Sequence, residues 1–252
     1  MTNPTPLSPW QEAVARISRT SFQYKVLSAT PKGSEMVAIA DLSKPATAAD
    51  LAVRFQNHYQ PSHLYKAGSL AFQRAAHRLI GTSVGCWLLD GKFLQYCPEH
   101  THVIVEKGAV TAMHVDVDNP PTLMSADAAD VIDRTQKMVI PIMAAFSQAT
   151  GVGRANLTGN CAATISAVAR NIVRQDPHQD PEAMKHRVEE LFDFWPGMSR
   201  LGWFEIIGGK LFYYRNSCCH WHSTGADNCD WCTKRPVMQR RQSFAQSVSQ
   251  TS

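Results

Sequence analysis

Fifteen residues near the C-terminus hold four of the chain's seven cysteines: Cys218-Cys219-His220-Trp221-His222-Ser223-Thr224-Gly225-Ala226-Asp227-Asn228-Cys229-Asp230-Trp231-Cys232. An adjacent pair followed by a C-x-x-C is denser than packing requires, because buried structural cysteines usually scatter along a chain. Three chemistries compete for such a set: an iron–sulfur cluster, a structural zinc site, or disulfides. In extended backbone, neighbouring side chains point to opposite faces, so placing Cys218 and Cys219 on one tetrahedral zinc would bend the chain sharply. A 2Fe-2S cluster spreads four thiolates over two irons and accepts an adjacent pair with less distortion, and we favour it. Cys229 and Cys232 fit either metal, and by themselves they would also fit a redox dithiol. Ser223, Thr224, Gly225 and Asn228 supply a turn that folds the second pair back onto the first.

The motif resembles the C-terminal cysteine signature of the FhuF-type ferric siderophore reductases. In this chain Arg215-Asn216-Ser217-Cys218-Cys219 is followed by nine residues and then Cys229-Asp230-Trp231-Cys232, one residue shorter than the family pattern. A second, weaker match is Leu157-Thr158-Gly159-Asn160-Cys161-Ala162-Ala163, which is similar to a Gly-Asn helix opening in the same family. The resemblance implies that Cys218, Cys219, Cys229 and Cys232 bind a 2Fe-2S cluster. It also implies one-electron reduction of a ferric siderophore, a hydroxamate being favoured, with electrons from a ferredoxin or flavoprotein reductase. Asn160, Arg215, Lys234 and Arg235 are the candidate substrate contacts, with Asn160 expected to line the pocket. The rival readings are a zinc-stabilised, non-catalytic binding module and an iron–sulfur carrier or redox sensor.

Other features bound these readings. The net charge of +4 is too mild to argue for nucleic acid. Between Lys210 and Arg241, however, six cations face two anions, and cations near an anionic cluster favour its reduced form. Arg240 and Arg241 are expected on a solvated basic tail. The longest apolar run, Met138 to Phe146, is broken by Pro141 and too short to cross a bilayer. Residues Met1 to Pro6 have neither the basic region nor the apolar core of a secretory signal. A cytoplasmic monomer with reduced thiols is therefore expected. His220 and His222 are read as neighbours of the cluster sulfurs, and Trp221 and Trp231 as its shield from water. Cys97, His100 and His102 make a C-x-x-H-x-H pattern that could hold a second metal, although a hairpin edge explains it as well. Cys86 and Cys161 read as packed thiols.

The elements that must position the motif follow from periodicity and punctuation. Helices are expected from Ser8-Pro9, from Thr47 to before Pro61, and over 63–80. Further helices are expected over 125–150, kinked or split at Pro141, over 160–173, and from Asp180-Pro181 to Phe194. Asp90-Gly91 predicts a hairpin between 86–89 and 92–96, and a second hairpin joins 102–105 to 110–115. A third, 203–207 with 210–214 around Gly208-Gly209, delivers the chain into Cys218. The expected fold is α+β, a mainly helical body with small antiparallel hairpins and a C-terminal hairpin carrying the cluster loop. The corresponding division is a body over 1–200, a hairpin and cluster segment over 201–236, and a disordered tail over 237–252. Residues 1–8 are likewise expected to be disordered.

Overall fold

A computed structural model describes residues 6–29, 33–229 and 231–249. The protein is α+β, with seven α-helices among the described residues and three small sheets. Residues 1–5 and 250–252, at the ends of the segments expected to be disordered, lie outside the described residues, as does Asp230. No described helix is long and apolar enough to cross a membrane.

Helix α1 covers Pro9–Thr20, and its start is the predicted capping box, Ser8 N–H donating to Gln11 Oε1 at 2.8 Å. Strands β1 (Val26–Leu27) and β2 (Glu35–Ala38) follow, then α2, Pro45–Tyr59. The centre of the molecule is α3, Leu64–Asp90, buried along almost its whole length from Ala67 to Leu88. A helix covered on nearly every side is a core helix, and the polar Arg74 and His77 mark the wall it turns to a cavity. Gly81 lets it approach the rest of the core closely, since a Cβ there would sit 2.5 Å from the ring of Tyr24.

This helix corrects the first predicted hairpin. Residues 86–89 are its last turn, and Gly91 is its left-handed C-cap, with φ 70° and its N–H bonded to the Trp87 carbonyl at 2.8 Å. The side chain of Arg187 donates to the carbonyls of Trp87 and Leu88 at 2.8 and 2.7 Å, and its guanidinium lies over the Trp87 ring. An aspartate–glycine pair serves a helix end as readily as a hairpin turn, and these tertiary contacts decide for the helix. Strand β3 (Lys92–Gln95) instead pairs with β6 (Thr122–Ser125).

The second hairpin forms as predicted, β4 (Thr101–Glu106) with β5 (Ala109–Val115), with a register shift at Ile104/Val105. It is the middle of a four-stranded sheet ordered β1-β5-β4-β2, in which β1 runs parallel to β5. Helix α4, Ala128–Thr150, is capped by Asp127, runs through Pro141 as one helix and stops at Gly151. Helix α5, Arg154–Gln175, lies against α3, and α6, Pro181–Asp193, starts on the predicted Asp180 cap.

The last hairpin, β7 (Gly202–Ile207) with β8 (Lys210–Arg215), has the predicted register around Gly208-Gly209. Leu211 of β8 is part of the main core, so the hairpin is rooted in the helical body. The tail beyond it is not the disordered segment expected. Val237–Ser249 forms helix α7, whose Phe244 stacks on Phe212 with ring centroids 4.4 Å apart and meets Tyr214 edge-on. Arg240, expected in solvent, is 6% exposed and lies over the rings of Tyr214 and Trp203. Arg241 pairs with Glu205 at 2.7 Å. A sequence of glutamines and serines carries little apolar periodicity, and the two aromatic rings it covers lie on a strand far from it in the chain.

Candidate metal centre

Strand β8 ends at Arg215, and three residues later the cysteine pair begins. The chain turns at once, because His220 adopts the left-handed conformation (φ 68°), which few non-glycine residues do. A short 3₁₀ turn over Trp221–Thr224 and a left-handed Gly225 (φ 79°) complete the reversal. The second pair is itself a turn, with Cys232 N–H bonded to the Cys229 carbonyl at 2.9 Å. Arg235 donates to the Asn228 carbonyl at 3.1 Å and braces the loop from its far side.

The reversal brings Cys219 and Cys229 near enough for each thiol to shift the other's ionisation. Hydrogen bonding from Cys229 and the nearby Arg215 charge draw the Cys219 thiol below its ordinary value, and Cys229 is pushed up by the same contact and by burial. Cys218 Sγ accepts from the His220 N–H at 3.4 Å and lies 3.6 Å from His222 Nδ1. Cys232 is buried, its thiol directed to Asn228 Oδ1 at 3.5 Å. The thiols thus stand as one electrostatically coupled pair and two further groups with partners of their own. Among the described residues, no three His, Cys, Asp or Glu side chains converge as a metal site, here or at Cys97, His100 and His102. His102 instead faces His114 across β4 and β5. Cys86 and Cys161 are fully buried, and burial pushes both thiols up. All seven cysteines are free.

Two helices fix the loop. Asn156 and Asn160, one turn apart on α5, face Ser69 of α3 and the cysteine segment together. Asn156 Nδ2 donates to the Cys218 carbonyl at 2.7 Å, and its Oδ1 accepts from Ser69 Oγ at 2.6 Å. Asn160 Nδ2 donates to the Ser69 carbonyl at 3.1 Å, and its Oδ1 accepts from Arg215 Nη2 at 2.8 Å. Between them Gly159 leaves room for Ser217, whose Oγ would be 2.0 Å from a Cβ at that position. The Gly-Asn motif therefore belongs to the loop's foundation. Asn160 is fully buried and lies outside the cavity lining, and Lys234 and Arg235 are outside it too. The i, i+4 spacing of Asn156 and Asn160 was the available sequence signal, and Asn156 and Ser69 went unassigned.

Arg215 tests whether an anionic metal group fits here. It is 6% exposed, its Nε has no hydrogen-bond partner, and among the described residues no carboxylate pairs with it. Burial lowers its pKa, and Cys219 opposes that most, followed by Tyr213, Cys218 and Cys229. A buried guanidinium whose hydrogen bonds go to the neutral oxygens of Asn160 and Ser217 lacks a counter-charge until the neighbouring thiols ionise. A thiolate-ligated cluster supplies that charge, so these residues fit one.

Cys219 and Cys229 also open onto a cavity of about 290 Å³. Its wall includes Arg74, His77, Arg170, Trp221 and Trp231, none of which the sequence had marked as cavity-lining. Arg74 lies over the Trp221 ring at 5.7 Å and Arg170 over Trp231 at 4.8 Å. Both tryptophans line the cavity with the cysteines and each holds an arginine, and Trp231 remains 41% exposed. His77 is buried, its Nδ1 without a partner, and burial among four arginines pushes its pKa down to about 3. No protein family and no curated protein matches this chain.

Proposed function

We propose that the protein is a siderophore-iron reductase, an oxidoreductase of the FhuF-type family in which Cys218, Cys219, Cys229 and Cys232 hold a 2Fe-2S cluster. The observation that carries this reading is the buried, uncompensated Arg215 facing three of the four thiols. When bound, the cluster supplies one electron to Fe(III) in the chelate, received beforehand from a ferredoxin or flavoprotein reductase. Hard oxygen ligands suit Fe(III) far better than Fe(II), so that electron loosens the complex. The protein's own residues need supply no nucleophile or base. Arg215 neutralises thiolate charge, Asn160 and Asn156 fix the loop, and Trp221 and Trp231 limit water at the cavity wall. The reading places the protein in the cytoplasm, where such thiols stay reduced.

Anaerobic purification followed by a visible spectrum and analysis for iron, sulfide and zinc tests this. A red-brown protein with equal iron and sulfide, bleached by dithionite and recoloured by a ferric chelate, is expected. Each of the four cysteines changed to serine should lose most of the colour. A colourless protein carrying one zinc would replace the reductase with a zinc-stabilised module.

A further inference from the structure

Apart from the cysteines, the charged side chains that line the cavity beside Cys219 and Cys229 are, among the described residues, all arginines. A second cavity of about 200 Å³ shares Arg170, Phe212, Trp231 and Phe244 with it and adds Arg174 and Lys210. Five cations thus line the two, and among the described residues no aspartate or glutamate does. Arg74 and Arg170 are each held against a tryptophan face, and among the described residues neither is paired with a carboxylate, so both planes are pre-set with donors to spare. Arg170 is partly buried and its pKa is lowered by that burial, a cost that an incoming anion would offset. The buried, unpartnered Nδ1 of His77 adds a polar group at the same wall. The first cavity alone is at the small end for a drug-sized ligand, and the pair together approach the ordinary range.

We infer that these two cavities receive a metal chelate of net negative charge, with catecholate or carboxylate oxygens facing Arg74 and Arg170, in preference to a cationic hydroxamate complex. The inference rests on the reductase reading for the identity of the bound complex, and it departs from the hydroxamate preference that the sequence suggested. Charge is the reason: fixed guanidinium planes match flat, bidentate oxygen pairs, whereas a cationic chelate would be repelled by Arg74 and Arg170. Reduction makes any chelate one charge more negative, so the same arginines favour the reduced complex over the oxidised one.

Gallium(III) chelates separate binding from electron transfer, because gallium copies the ferric ion's coordination and is not reduced under these conditions. Titration calorimetry of the full-length, metal-loaded protein with a trianionic gallium tris-catecholate and with cationic gallium desferrioxamine B is the test. The catecholate should bind at least about tenfold tighter, and raised salt should shrink the gap. Arg74→Gln and Arg170→Gln should each weaken the catecholate about tenfold and leave the hydroxamate unchanged, while Arg74→Lys keeps the preference. Equal or tighter hydroxamate binding by the wild-type protein overturns the inference, even where ferric chelates recolour the reduced protein and the reductase reading stands. Conversely, a protein that discriminates the gallium complexes but is never reoxidised by ferric ones loses the reductase reading alone.

Discussion

Arg215 Nη2 donates to Asn160 Oδ1 at 2.8 Å, tying the end of strand β8 to helix α5 at the point where the chain enters the cysteine loop. Both residues are buried, so the bond acts chiefly through the position it gives to Ser217 and Cys218. Replacing Asn160 with leucine removes the acceptor and leaves a buried guanidinium poorer by one partner, together with an unfilled acceptor on Ser69. A loss of about 3 kcal/mol in unfolding free energy is expected, larger than for a neutral hydrogen bond. Urea denaturation checks the stability, and bound metal per chain should fall in parallel.

Gly159 gives a sharper test of the same joint. A methyl group there would overlap Ser217 Oγ and force the segment before Cys218 outward. Helix propensity alone favours alanine by about 1 kcal/mol, so the sign of the outcome shows which effect wins. Gly159→Ala should lower metal content and melting temperature, whereas Gly153→Ala, with nothing within 4 Å, should change neither appreciably.

Phe244 anchors helix α7 on Phe212 and Tyr214. Phe244→Ala should cost about 3 kcal/mol, the low end for a buried aromatic, because the cluster it leaves is small and lies near the surface. Proteolysis of the C-terminal segment should accelerate with it. A tail that is cleaved equally fast in both proteins would show that the helix does not dock.

His77 sets a pH dependence of stability. Its proton binds near pH 6.5 in the unfolded chain but only near pH 3 in the folded one, so the unfolded state holds more protons between those values. Stability is therefore full above pH 6.5 and falls as pH drops toward 3, by about 1.4 kcal/mol per pH unit for this group. Unfolding titrations at several pH values should show the slope, and His77→Gln should flatten it.

Local rules carried far in this chain. The capping box at Ser8, the caps at Asp127 and Asp180, the glycine stop at Gly151, and the hairpins of β4–β5 and β7–β8 each depend on residues within a few positions of one another. The density of Cys218, Cys219, Cys229 and Cys232 likewise marks the candidate centre without any tertiary information. Where the reading failed, a distant partner decided. Asp90-Gly91 could end a helix or turn a hairpin, and the side chain of Arg187 bonding to the last carbonyls of α3 belongs to the tertiary fold. Arg240 and Phe244 look like tail residues until Trp203, Phe212 and Tyr214 are set beside them. The cavity shows the same division most clearly. Arg74, His77, Arg170 and Arg215 come from three separate elements, and their shared field exists only because α3, α5 and β8 meet. The sequence alone determined which atoms could bind a metal, since ligand chemistry resides in side-chain type and close spacing. Only the tertiary structure decided which charges surround them, because electrostatic fields depend on distance through space.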